Sequence, residues 1–292
     1  MNDYLVRATG LQGKVRLFAA RTTALVEEIR RRHDMFPTST AAVGRTATAA
    51  AMMGAMLKGE EKVTIQVKGD GPIGQIVADA NAKGEVRAYA DNPQAHLPSN
   101  SLGKLDVAGV VGTEGFIYVI KDLGLREPYR GSVPIVSGEL AEDFTYYFAK
   151  SEQTPSAVSL GVLVDTDYAV KMAGGLILQL LPGLTDEEIT ALEKRLGAIP
   201  PVTSMLERGL TPEDMMKELV DDISAVERME LRFQCFCSRE RVENTLVSLG
   251  KAELDAIIEG EGNAEVVCHF CNEKYGFDRP ELTTLRERLD GK

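Results

Sequence analysis

Phe233-Gln234-Cys235-Phe236-Cys237-Ser238 and Cys268-His269-Phe270-Cys271 contain every cysteine in the chain, a C-x-C pair and a C-x-x-C pair with 30 residues between them. Four thiolates brought together make a closed tetrahedral site with no position left for water, which suits a structural or regulatory metal rather than a catalytic one. Soft sulfur ligands favour zinc, Cu(I) or iron–sulfur over magnesium or calcium. The C-x-C spacing is tight. On a flat strand its two side chains would share a face yet stand apart along it, so both sulfurs reach one metal only if the backbone turns. The mundane alternative is four buried cysteines acting as small hydrophobes. Their confinement to 37 of 292 residues argues against that. His269 lies between two proposed ligands, but the flanking sulfurs are the better ligand pair.

The surrounding composition narrows what such a site could serve. Net charge is −11, and residues 221–292 carry 16 acidic and 10 basic side chains, so the cysteine region would repel a phosphate backbone. Asp3 and Tyr4 stand where the apolar run of a signal peptide would begin, and no stretch reaches membrane-spanning length. The expectation is a cytoplasmic protein with no membrane partner, whose thiols meet a reducing compartment where paired cysteines bind metal or sense redox.

Upstream of the cysteines, alternation and turn residues predict an α+β core with an antiparallel-rich sheet. Strands are expected at 2–9, 15–19, 63–67, 75–80, 86–90, 114–121, 132–136, 158–164 and 169–180, and helices at 22–32, 39–57 and 139–148. The 39–57 helix is built of Ala, Thr and Met, small enough to sit at the centre of the domain. Gly69-Asp70-Gly71-Pro72-Ile73-Gly74 looks like a phosphate loop, but no Lys-Ser/Thr follows and a strand comes next, so it reads as a turn within a sheet. The first 182 residues hold only His33 and His96 and offer no nucleophile elbow or zincin motif.

The pattern changes at Pro182-Gly183. Thr185-Asp186-Glu187-Glu188 is a capping box, and Thr211-Pro212-Glu213-Asp214 starts a second helix. Residues 183–231 therefore read as a mostly helical segment of short helices that depend on neighbours for stability. Residues 232–292 read as a zinc domain with helices after Ser238, around Leu254 and after Pro280, and a strand entering Cys268. So few large apolar side chains cannot make a strong core, so metal binding would supply much of its folding free energy. Oxidising the thiolates would then remove the ligands and unfold the domain.

The run Cys268-His269-Phe270-Cys271-Asn272-Glu273-Lys274-Tyr275 resembles the C-terminal zinc domain of the bacterial redox-regulated heat-shock chaperone of nominal mass 33 kDa. Gly69-Asp70-Gly71-Pro72, Ser151-Glu152-Gln153, Gly174-Gly175 and Phe233-Gln234-Cys235-Phe236-Cys237-Ser238 are similar too, so the likeness spans nearly the whole chain. The resemblance implies an ATP-independent holdase, not an enzyme. It implies one Zn2+ per chain on Cys235, Cys237, Cys268 and Cys271 in the reduced, inactive state. It further implies disulfides Cys235–Cys237 and Cys268–Cys271 on oxidation, disorder of the zinc domain and helical linker, homodimer formation, and capture of unfolding client proteins. The rival readings are a zinc-ribbon nucleic-acid or assembly module and a thiol oxidoreductase. Acidic charge counts against the first, and the lack of a βαβ context for C-x-x-C against the second.

Overall fold

The computed structural model describes residues 2–101 and 103–289. Leu102, in the loop expected at 92–103, and the last three residues of the 232–292 domain lie outside the described residues. The chain divides into two compact units, Met1–Gln234 and Cys235–Lys292.

In the first unit, β1 (Tyr4–Gly10) and β2 (Val15–Arg21) form a hairpin, followed by α1 (Thr23–His33) and α2 (Pro37–Gly54). A meander of β3 (Lys62–Lys68), β4 (Gln75–Asn81) and β5 (Glu85–Ala90) leads through α3 (Val107–Val111) to β6 (Phe116–Asp122) and β7 (Tyr129–Pro134). Then come α4 (Ala141–Lys150) and the hairpin of β8 (Ser156–Val164) and β9 (Val170–Leu180). Three helices follow, α5 (Asp186–Ala198), α6 (Val202–Glu207) and α7 (Pro212–Lys217), and the unit closes with β10 (Ser224–Glu230) and β11 (Arg232–Phe233). One sheet has the order β10-β1-β2-β9-β8 and the other β11-β5-β4-β3-β6-β7. Every pairing is antiparallel except β11 with β5.

Alternation along the strands sorts side chains into two cores. Leu5, Phe18, Ile177 and Leu160 on one face of the first sheet, and Val63, Ile65 and Ile76 of the second, enclose α2. That helix is buried along nearly its whole length because its Ala, Thr and Gly side chains leave room for both sheets. Its buried hydroxyls are satisfied at short range, Thr46 donating to the Ala42 carbonyl (2.9 Å) and Thr48 to that of Gly44 (2.8 Å). The opposite face of the first sheet presents Tyr4, Val6, Leu17 and Leu178 to Leu192, Met205, Leu206, Met215 and Leu219 from the 183–231 stretch. The apolar stripes of those short helices thus pack on the sheet, and both expected caps form: Glu188 N–H donates to Thr185 Oγ1 (3.3 Å) and Asp214 N–H to Thr211 Oγ1 (3.2 Å).

The resemblance of Gly69-Asp70-Gly71 to a phosphate loop dissolves in the same way. The stretch joins β3 to β4, and a Cβ on Gly69 or Gly71 would come within 2.1 or 2.3 Å of the carbonyl oxygens of Val111 or Val110. Asp70 accepts from the Glu114 N–H (3.1 Å). These residues seat α3 against the sheet. The stretch 183–231, expected to be mostly helical, also contains a strand. β10 pairs with β1 across a bulge between Arg7 and Thr9, with Ala225 in the left-handed region (φ 49°).

The second unit is small. It contains α8 (Arg239–Ser248), α9 (Lys251–Glu259), the hairpin of β12 (Ala264–Val267) and β13 (Lys274–Phe277), and α10 (Arg279–Glu287). Its core consists of Val242, Leu246, Leu254, Phe277, Leu282 and Leu285, with partly buried neighbours that include Val266 and Tyr275.

Candidate metal centre

The two half-sites are made by different local devices. Cys235 and Cys237 lie in an irregular stretch between Phe233, where β11 ends, and Ser238, the N-cap of α8, whose Oγ accepts from Arg241 N–H (3.3 Å). The backbone is therefore free to bring both sulfurs to one point, which a flat strand could not do. Arg241 also donates from Nη1 to the Phe236 carbonyl (2.8 Å), which fixes the residue between the pair. Cys268 and Cys271 occupy the turn of the β12–β13 hairpin. Cys268 N–H donates to the Glu273 carbonyl (2.9 Å) and Asn272 N–H to the Cys268 carbonyl (2.8 Å). Asn272 takes φ 60°, a conformation that asparagine tolerates better than most side chains.

All four Sγ atoms lie within 4.8 Å of one another. Cys235 and Cys268 sulfurs are 3.7 Å apart, and those of Cys237 and Cys271 3.3 Å. Zinc–sulfur bonds of 2.3 Å at tetrahedral angles place sulfurs about 3.8 Å apart. The donor set, its spacing and its count fit a tetrahedral thiophilic cation. None of the four is in a disulfide. His269 is not a member of the cluster.

The electrostatics of the cluster are those of charges crowded into a half-buried space. Burial pushes the Cys271 thiol well above its ordinary range, with the neighbouring thiols adding to the effect, although the Glu273 N–H works the other way. Burial also raises Cys237. At Cys235 burial opposes ionisation, but the Cys237 N–H and the surrounding thiols outweigh it and bring the group down to about 7. Four sulfurs this close share one negative charge readily and four only with a cation among them. Cys271 is buried, and the other three are half-buried. Tyr275 donates its hydroxyl to Cys237 Sγ at 3.2 Å. In the sequence Tyr275 stands out only as the end of the Cys268–Tyr275 motif. Strand alternation would have placed it: the register that sends Phe277 into the core puts Tyr275 on the same side of β13.

An α+β core followed by a separate small unit with four clustered thiols defines the class: a two-unit protein with a candidate thiolate metal centre. Comparison with known proteins is specific within that class. The family model described as Hsp33 protein matches residues 3–278. The chain is 57% identical over 286 residues to a 33 kDa chaperonin of Brevibacillus brevis, covering 98% of this chain and 99% of that one. It is 55% identical over 287 residues to the 33 kDa chaperonin of Bacillus subtilis, covering 98% and 99%. The crystal structure of the 33 kDa chaperonin from Thermotoga maritima superposes with a TM-score of 0.94 at 39% identity, over 100% of both chains. The chain belongs to the Hsp33 family. It is a redox-regulated chaperone rather than an enzyme, and the zinc-ribbon and oxidoreductase readings are not favoured. Among the described residues no helix is long and apolar enough to cross a membrane.

Proposed function

We propose that the chain is a cytoplasmic, ATP-independent holdase gated by the four-cysteine cluster. The observation that carries this is the convergence of Cys235, Cys237, Cys268 and Cys271 within 4.8 Å in a unit with few buried apolar side chains. One Zn2+ per chain, held by these four sulfurs, would keep them as thiolates and cross-link the two half-sites. Oxidation withdraws the ligands: two thiolates give up two electrons and join, and a disulfide sulfur no longer carries the charge that holds a cation. The pairing we propose is Cys235 with Cys237 and Cys268 with Cys271.

In this reading residues 1–182 are the working core, 183–231 a helical linker and 232–292 the redox switch. Losing the ligand set unfolds the switch and loosens the linker. That frees apolar surface now packed away, including Leu192, Met205 and Met215. Unfolded or partly unfolded polypeptides are the clients, and two activated chains associate as a homodimer. A reducing cytoplasm is the compartment in which such thiols stay ready. The direct test is metal release. Peroxide added to the reduced, zinc-loaded chain should release about one zinc per chain into a chromogenic chelator, and full retention of the metal would remove the sensor role.

A further inference from the structure

We propose that Met205, Met215 and Met216 form a second oxidation site, whose conversion to sulfoxides once α6 and α7 lift keeps those helices off the first sheet after the thiols have been reduced again. The proposal rests on the reading that oxidation of the cluster loosens residues 183–231, and it adds a separately reversed record to that loosening. All three thioethers are fully buried (0% exposed) between the short helices and the first sheet, in one cluster with Leu17, Leu178 and Leu206. α6 packs on β9 and β8, and α7 on β2 and β1. Each helix is six residues long, too short to persist without the sheet beneath it. Met52 and Met53 are buried to the same extent, 0% and 1%, but on the 18-residue α2, which both sheets enclose. The consecutive glycines of β9 serve the two sets separately. A Cβ on Gly174 would come within 2.8 Å of Leu206 Cδ1 on α6, and one on Gly175 within 2.7 Å of Met52 Cε. A Cβ on Gly161 of β8 would lie 2.8 Å from Thr203 Cγ2. α6 thus sits in a notch with no room at these points for one further heavy atom.

The step is an oxygen transfer from hydrogen peroxide. The thioether sulfur attacks one peroxide oxygen, the S–O bond forms and the O–O bond breaks. Sulfur is oxidised by two electrons, and the proton left on the bound oxygen passes to the departing hydroxide, which leaves as water. The sulfoxide is polar and one atom larger than the thioether. With the helices seated, its oxygen would be buried among apolar side chains. Each sulfoxide should therefore shift the balance between seated and lifted helices by about tenfold towards the lifted form. While the helices are seated the sulfurs are shielded, so their oxidation records that the helices have lifted. Thiol reductants restore the cysteines but leave the sulfoxides, which need reductases of their own.

In the experiment the full zinc-loaded chain is treated with peroxide and mild heat, then returned to zinc and a thiol reductant. Peptide mass spectrometry reads sulfoxide at each methionine, and limited proteolysis reads the opening of residues 183–231. Sulfoxide should accumulate on Met205, Met215 and Met216 at least about tenfold faster than on Met52 and Met53, whose helix opens only with the whole core. The segment should stay open to protease after thiol reduction, and methionine sulfoxide reductases should then restore its protection. The variant M205L/M215L/M216L, which keeps the packing volume but cannot form sulfoxides, should close on thiol reduction alone. Sulfoxide formation no faster at these three positions than at Met52 and Met53 overturns the proposal. So does closure of the sulfoxide-bearing wild type on thiol reduction alone, which would leave the thiol switch standing. Both of these arms use the wild type, so they decide even if the variant fails to fold. A segment that never opens under peroxide removes the loosening itself, and the proposal with it.

Discussion

Asp3 is a buried carboxylate placed where three elements meet. Its Oδ2 accepts the Leu25 N–H (2.7 Å) at the start of α1, its carbonyl accepts from Leu231, and Arg21 of β2 stands 3.9 Å from Oδ1. Burial is the largest influence on it and outweighs the Leu25 hydrogen bond and the Arg21 charge, raising its pKa to about 6. A carboxyl whose folded pKa lies above its unfolded value binds more protons in the folded state. Its contribution to stability is therefore greatest below about pH 4, falls as pH rises towards 6 and is flat above. Asp3→Asn should remove a loss of stability on the order of 2 kcal/mol between those limits. Thermal unfolding of wild type and variant at pH 4.5 and pH 7 should show the difference, and identical pH slopes would show that Asp3 does not titrate in this window. In the sequence Asp3 serves only to interrupt an apolar run. Nothing local announces a helix contact 22 positions away. The cysteines are legible because their meaning lies in short spacings, two and three residues, which survive without knowledge of the fold.

At the scale of elements, legibility follows burial on one face. The strands with one buried face announce themselves by alternation, and the central helix α2 by its small residues. Two things escape. The helices α3 and α6 are five and six residues long, too short for a helical period to register. Strand β10 is exposed on both faces apart from Met229, so Ser224–Glu230 has no hydrophobic pattern to read. It is held instead by its ladder to β1 and by pairs such as Arg7 with Glu227, and Gly84, whose absent Cβ would lie 2.1 Å from the Glu230 carbonyl, lets the chain pass close to the second sheet. The second unit has the opposite character. Its helices are legible from the Ser238 cap, the Pro280 start and their apolar stripes, but among the described residues six buried apolar side chains form the core that holds three helices and a hairpin, too few for a strong core without help. Cys268→Ser, which leaves the other three sulfurs in place, should weaken zinc binding by more than the ~10–100-fold typical of losing an outer-shell partner. It should also make α8, α9 and α10 open to protease under reducing conditions. Protection equal to that of the wild type would mean that these helices fold without the metal.

Considered whole, the molecule separates two tasks. The first unit is large enough to fold on its own buried surface, with α2 enclosed by two sheets and a helical layer on the far face of one of them. The second gathers four free sulfurs within 4.8 Å of one another, and in the proposed reading its stability depends on the cation they hold. Membership of the Hsp33 family assigns the chaperone role that composition and spacing alone do not reveal. If oxidation turns this chaperone on, the difference is read in light scattering from a thermally unfolding client protein without ATP. One sample would contain the reduced, zinc-loaded chain and the other the same chain after peroxide and mild heat. Only the oxidised sample should suppress aggregation, and equal suppression by both samples would show that oxidation is not the switch.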